Sequence, residues 1–321
     1  MLNLYITVDT EYSAGLFDGP SDSSWADNYA RSIRCDTPDG HAGIHYQMER
    51  LDAYGLKAVF FVDPLPALIW GPRAAAEIVE PILKAGHDVQ LHMHSEWLEF
   101  APGAPLGGKT GRNMSDFNLD EQVWLIGKGI DLLVASGAPR PVAFRAGNYG
   151  ANDDTLRALA ACGMKYDTSF CPGIAESDCA ITLPAHQFEP IEHCGTIEVP
   201  VDAIGAAEGS ARHAQLTALS ARELSAALSH ALEQGKPNFT LVSHSFELLS
   251  RDRQRINKVV KSRFEQLCQL VALHPRMRTA TYNDRPPTVN AWRGEPELLP
   301  HNPFRTAERM AEQVISNVIY R

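Results

Sequence analysis

The chain predicts an α/β fold: a distorted (β/α) barrel of seven or eight strands with a C-terminal helical extension. Three observations carry that reading. Short apolar, β-rich runs alternate with helix-period segments from Leu2 to Tyr282, as in a parallel sheet with helices outside. At least six such units follow one another with no Pro/Gly linker before Pro286, which favours one closed barrel. Several of the strands end in Asp, Glu, His or Arg, and a parallel barrel opens all of those ends on one face.

Taken in order, residues 2–8 form the first strand, which ends in Asp9-Thr10-Glu11. Residues 12–42, rich in Ser, Asp, Gly and Pro, read as a long loop of the kind that is often functional. Residues 43–54 place Ile44, Met48 and Leu51 at helical spacing. Residues 57–62 are a buried strand stopped by Asp63-Pro64, and residues 73–85 a helix closed by Gly86. The next strand runs into His92-Met93-His94. Residues 95–118 are a second long, Gly- and Pro-rich loop, and residues 119–136 a helix closed by Gly137. Residues 141–144 are a short strand that delivers Arg145, Asn148 and Tyr149. A helix at 153–162 precedes two strand candidates, 165–170 and 196–201. Residues 221–233 are helical, 239–243 a strand ending in His244, 251–273 the longest helix, and 279–282 a last strand.

The barrel is expected to span residues 1–285. Residues 286–303 are Pro-rich, and residues 305–320 turn helical. The stripe Met310, Ala311, Val314, Ile315 and Val318 predicts that this helix docks on its own barrel, with a dimer contact as the alternative.

Composition sets the surroundings. The 321 residues are 44% hydrophobic and 21% charged, an ordinary globular balance. A net charge of −10 argues against nucleic acid. The six cysteines form no C-x-x-C pair and read as reduced thiols. No apolar run reaches the roughly 18 residues of a membrane helix, so no membrane insertion is expected. The first strand starts at Leu2, and the expected compartment is cytoplasmic.

The stretch that organises the chemistry is His92-Met93-His94. Successive strand side chains alternate faces, so both imidazoles point the same way. Glu96 has the same parity and joins them if the strand continues. His87 has the opposite parity to His92 and lies about 17 Å away along an extended strand, which excludes it. Asp9 and Glu11 likewise share a face. Two carboxylates and two imidazoles suit a divalent metal, zinc foremost. One carboxylate would ligate with the histidines and the other would stay free as a base. Trp25, Trp97 and Tyr149 lie on or beside the long loops at the same mouth. They are candidate substrate contacts, with simple packing as the competing explanation for the two tryptophans.

Together these motifs resemble the polysaccharide deacetylases of the NodB-homology type, a carbohydrate esterase family 4-like pattern. Thr7-Val8-Asp9-Thr10-Glu11 resembles the family's acidic first motif, with the second acid two positions along. His92-Met93-His94 resembles its histidine pair, although the usual spacing of four would fall on Glu96. Phe144-Arg145-Ala146-Gly147-Asn148-Tyr149 resembles the arginine motif without its proline, and Leu241-Val242-Ser243-His244 matches the closing L-x-x-H. The family's D-x-x-W motif lacks a clear counterpart, with Asp167 and Asp202 the candidates for its acid. The likeness runs in family order over residues 2–282.

The resemblance implies a metal held by Glu11, His92 and His94, and a base, Asp9, oriented by Arg145. It implies an oxyanion donor in a backbone N–H near Tyr149 and an acid, His244. The implied reaction is hydrolysis of the acetamide of an N-acetylated sugar, with surface-polysaccharide biosynthesis as the expected setting. A related-barrel glycoside hydrolase and a non-catalytic carbohydrate-binding barrel are the alternatives. Oligomeric state is not written in these features.

Overall fold

The computed structural model describes residues 1–174, 176–287, 289 and 297–320. Its main sheet contains β1 (Leu2–Thr10), β2 (Val59–Val62), β3 (Asp88–Met93), β4 (Ala143–Ala146), β5 (Tyr166–Asp167), β6 (Ile191–His193), β7 (Thr196–Glu198), β8 (Asn238–His244) and β9 (Met277–Thr279). The spatial order is β8-β1-β2-β3-β4-β5-β7-β6, with β9 added beside the start of β1. Neighbours are parallel except for the β6–β7 hairpin. The longer helices are α1 (Ile44–Ala53), α2 (Arg73–Lys84), α3 (Leu119–Ala135), α4 (Asp153–Ala161), α5 (Ala221–Glu233), α6 (Lys258–Leu273) and α7 (Pro303–Ile319).

The sheet curls until its two sides meet through irregular chain. Val199 and Val201 donate backbone N–H groups to Asp167 and Phe170 on one side. Asp202 and Leu216 donate to Thr240 and Val242 of β8 on the other. Residues 199–216 therefore do the work of a missing strand, and the barrel is distorted as predicted.

Alternation along the strands sorts the side chains. Val8, Leu91, Met93 and Phe144 face the core under the helices. Tyr5, Val59, Phe61, Ala143, Tyr166 and Tyr282 form a separate cluster inside the curl. The Tyr282 ring lies 5.5 Å from that of Tyr5, 5.9 Å from Phe61 and 5.3 Å from Tyr166. These rings fill the barrel below its polar strand ends. Arg145 rests on this floor, 4.6 Å above the Phe61 ring.

Several expectations need correction. Residues 12–42 are not an open loop. Ser21 caps a helix at Asp22–Asn28 by accepting from the Ser24 N–H, and a wider π-helical turn at Tyr29–Arg34 buries Tyr29 and Ile33. The helix expected at 251–273 starts only at Lys258, because the Asn257 side chain accepts from Val259 and Val260 and so caps it. It is one residue shorter than α3. Arg145 stands within β4 rather than beyond it.

The terminal helix is also turned over relative to the expectation. It meets the barrel through polar side chains: Glu312 pairs with Arg263, Glu308 with Arg222, and Arg309 lies 3.8 Å from Glu223. Ser316 accepts from Asn257. Met310, Val314, Ile315 and Val318 are exposed, as is Ala311. The apolar stripe of this helix thus faces outward. Of the segment read as Pro-rich, residues 288 and 290–296 lie outside the described residues.

Candidate functional site

Register brings the strand ends together. Asp9 of β1 is paired with His244 of β8, and His92 of β3 with Arg145 of β4. Met93 ends β3, but His94 keeps an extended backbone (φ −102°, ψ 95°), so its side chain stays on the face of His92. Glu11 reaches over from β1.

Both imidazole Nε2 atoms meet the same carboxylate oxygen. His92 Nε2 lies 2.9 Å and His94 Nε2 2.6 Å from Glu11 Oε2. On its other side, His92 Nδ1 lies 2.7 Å from the Arg145 carbonyl oxygen. A carbonyl only accepts, so Nδ1 carries the hydrogen and the Nε2 lone pair faces the Glu11 carboxylate. Two electron-rich atoms at that separation need a proton or a cation between them. Burial works against charge on Glu11, yet the two histidines overcome it and hold its carboxyl well below the usual range. Burial also opposes charge on His94, and Glu11 outweighs it, raising the imidazole well above its ordinary value. A bound divalent cation would replace that shared proton. The donor set and its convergence therefore fit a metal such as zinc.

Gly147 makes room for this arrangement. A Cβ there would fall 2.8 Å from Cγ and Nδ1 of His94. Glu96, the alternative ligand, is not in the group. The chain leaves its extended path after His94 and coils through Ser95–Glu99, which breaks the strand parity. The Glu96 carboxylate ends 3.6 Å from His94 Nδ1, behind the ring rather than between the rings.

Asp9 and Arg145 form a buried pair at 2.6 Å. Arg145 also donates to Thr7 Oγ1 at 2.9 Å and the Thr168 carbonyl at 3.2 Å, which fixes its plane. His244 stands opposite, partly exposed, with Nε2 4.0 Å from Asp9 Oδ2. Its Nδ1 lies 2.7 Å from Glu247. Glu247 also accepts from Gln215 Nε2 at 2.9 Å, the Thr217 N–H at 3.0 Å and the Thr217 hydroxyl. Burial opposes the imidazolium, but Glu247 and then Asp9 and Glu11 overcome it and lift His244 to about 9.

Sequence reading missed two acids. Glu247 orients His244, and its signal was the H-x-x-E spacing just past β8. Asp63, read as a strand stop, is fully buried beside the histidine pair, and burial pushes it up to about 7. Its Oδ1 accepts from the Leu65 N–H at 3.0 Å. The two candidates for the family's missing acid serve elsewhere. Asp202 binds Lys236 and the Thr240 N–H, both at 2.8 Å. Asp167 is tied to Ser169 and faces Glu198, and burial drives both carboxyls upward.

The aromatic candidates divide. Trp97 has no exposed surface and packs among Phe17, Trp70 and Phe100, so it cannot touch a ligand. Trp25 donates its indole N–H to Tyr12 Oη at 2.9 Å and carries Arg73 over its face at 4.5 Å. Tyr149 is half-buried, and Asn148 and Tyr149 both take left-handed backbone angles, φ 55° and 57°. Such geometry costs roughly 1–3 kcal/mol at a side-chain-bearing residue. A second group of metal-type side chains, Asp153, His193 and Cys194, lies at the start of α4. There the Asp153 carboxylate is already bound by His193 and Thr182.

No family model and no curated relative matches the chain. Solved structures do. A Mycobacterium smegmatis protein assigned as a polysaccharide deacetylase aligns with a TM-score of 0.54 and 17% identity, covering 92% of this chain and 95% of that one. A 4-α-glucanotransferase from Thermococcus litoralis aligns at 0.52 with 12% identity, covering 88% of this chain and 39% of that one. A family 4 carbohydrate esterase from Streptomyces lividans aligns at 0.42 with 12% identity, covering 84% and 88%. No described helix is long and apolar enough to cross a membrane. The curled barrel is a fold that the chain shares with the M. smegmatis protein along nearly the whole of both chains.

Proposed function

We propose that the chain is a metal-dependent hydrolase that removes the acetyl group from an N-acetylated sugar. The observation that carries this is the convergence of His92 and His94 Nε2 on one Glu11 oxygen, between the Asp9–Arg145 pair and His244. Glu11, His92 and His94 would hold the cation. A divalent ion there supplies Lewis acidity, which polarises a carbonyl and makes a water easier to deprotonate.

The chain's own residues supply the rest. Arg145 pairs with one Asp9 oxygen and fixes the direction of the other, so Asp9 can take a proton from the attacking water. The N–H near Tyr149, set by the left-handed turn, serves as an oxyanion donor. His244, protonated at neutral pH by Glu247, gives its proton to the departing amine. The products are acetate and a free amino sugar. A setting in cytoplasmic surface-polysaccharide biosynthesis belongs to the same proposal.

The glucanotransferase likeness favours a glycosidase as the second reading. A glycosidase needs a carboxylic acid that stays protonated until it donates. Glu11, held well below the usual range, is the wrong group for that, and a glycosidase would leave the histidine pair idle. The test is acetate release from N-acetylglucosamine oligosaccharides by metal-depleted and zinc-reloaded protein. Acetate that appears only on reloading supports the proposal. Cleavage of glycosidic bonds without acetate release would replace it.

A further inference from the structure

Beside His244 opens a cavity of about 530 Å³ whose far wall is α7. Its lining includes Phe246, Arg251, Arg253, Arg309 and Tyr320. The lining contains one carboxylate, Glu247, already bound to His244, Gln215 and Thr217. In a chain of net charge −10, this is a local reversal of sign at the mouth of the reaction site.

Arg253 is its centre. Its backbone is left-handed, φ 57°, a conformation that a side-chain-bearing residue holds only where the surroundings impose it. The guanidinium lies 4.0 Å over the Phe246 ring, and Nη1 donates to Ser32 Oγ at 3.0 Å. Phe246 in turn packs 5.4 Å from the His244 ring. Arg253 is thus one aromatic ring beyond the proton donor. It is half-buried, and among the described residues no carboxylate lies within ion-pair distance of it. Ser32 and Phe246 engage one donor and one face, leaving further N–H groups for a planar anion. An arginine held in a strained turn, partly out of water and with no ion pair among the described residues, is placed for a charge that arrives with the ligand.

We propose that this pocket is an anion subsite, in which Arg253, helped by Arg251, binds a carboxylate or phosphate carried by the substrate next to its acetamido sugar. The substrate class is then an acidic or phosphorylated N-acetylated sugar rather than a neutral one. The inference rests on the deacetylase reading for the sugar and on the arginine geometry for the charge.

The experiment is calorimetric titration of the zinc-loaded full chain with N-acetylglucosamine, N-acetylmuramic acid and N-acetylglucosamine 1-phosphate. Acetate release is measured in parallel. One charge-assisted hydrogen-bond pair predicts that a charged sugar binds about 10–100-fold tighter than the neutral one. The carboxylate and phosphate arms identify the anion. The preference should shrink with salt, vanish in Arg253→Ala and survive in part in Arg253→Lys. Should Arg253→Ala fail to melt cooperatively, Arg251→Ala and the salt series carry the test. Equal affinity for all three sugars overturns the subsite, as does a preference untouched by salt or by a folded Arg253→Ala. Acetate release without charge preference leaves the deacetylase and removes the subsite. Charge preference without acetate release does the reverse.

Discussion

Two histidine–carboxylate arrangements face each other across the barrel mouth, and the proposed function gives them opposite tasks. At the end of β3, His92 and His94 share one acid, and the hydrogen on His92 is committed to the Arg145 carbonyl. A lone pair is left pointing at a carboxylate, which calls for a cation. At the end of β8, His244 Nδ1 meets Glu247, which no second histidine shares, while Nε2 points toward the reaction space. That geometry keeps a proton on the ring and presents it. The residue types are the same in both places. On the proposed reading, the partner of the second ring nitrogen decides whether the histidine holds a metal or a proton.

The largest effect that could break this contrast is on metal content. His92→Ala should reduce bound zinc to near zero by elemental analysis and abolish turnover. Full metal content would put the cation elsewhere. Asp9→Asn keeps the shape of the site and removes the base, so zinc should remain while kcat falls by roughly 10²–10⁴-fold. The substitution also leaves the Arg145 charge buried beside a neutral amide, and loss of a buried ionic partner costs about 3–5 kcal/mol. A melting curve should accompany the kinetics. An equal loss of zinc would make Asp9 a ligand instead.

Glu247→Gln sharpens the other half. His244 must be protonated to act, so activity is present below its pKa and falls as pH rises through it. With Glu247 in place that limb lies near about 9. Without the carboxylate the limb should move down toward the ordinary imidazole range, with zinc content unaltered. A limb that stays put would remove Glu247 from its orienting role. The smallest effect is expected for Glu96→Ala, which should keep its zinc while His94→Ala loses it. The reverse result would make Glu96 the ligand.

The contrast was half legible in the sequence. His92 and His94 could be paired because strand parity is a local rule and their strand pattern is plain. Asp9, Arg145 and His244 could be gathered because parallel strands end on one face. Glu247 was not found, because its role depends on a turn after β8 that brings Gln215 and Thr217 to it from another part of the chain. Asp63 looked like a turn residue because its neighbour is proline. Only tertiary packing buries it beside the histidines. For Trp97 the sequence leaves substrate contact and packing open, because only Phe17 and Trp70, arriving from elsewhere, bury it. The outward stripe of α7 is a further case. Periodicity showed an apolar face, but ion pairs with Arg222, Arg263 and Glu223 choose the opposite face for docking.

The central claim is that the histidine pair at the end of β3 is the one built for a cation. Anomalous diffraction from zinc-loaded crystals above and below the zinc edge tests it most directly. The account predicts a single strong peak among Glu11 Oε2, His92 Nε2 and His94 Nε2, with none at His244. Absence of a peak there, or a peak at Asp153, His193 and Cys194 instead, would contradict it.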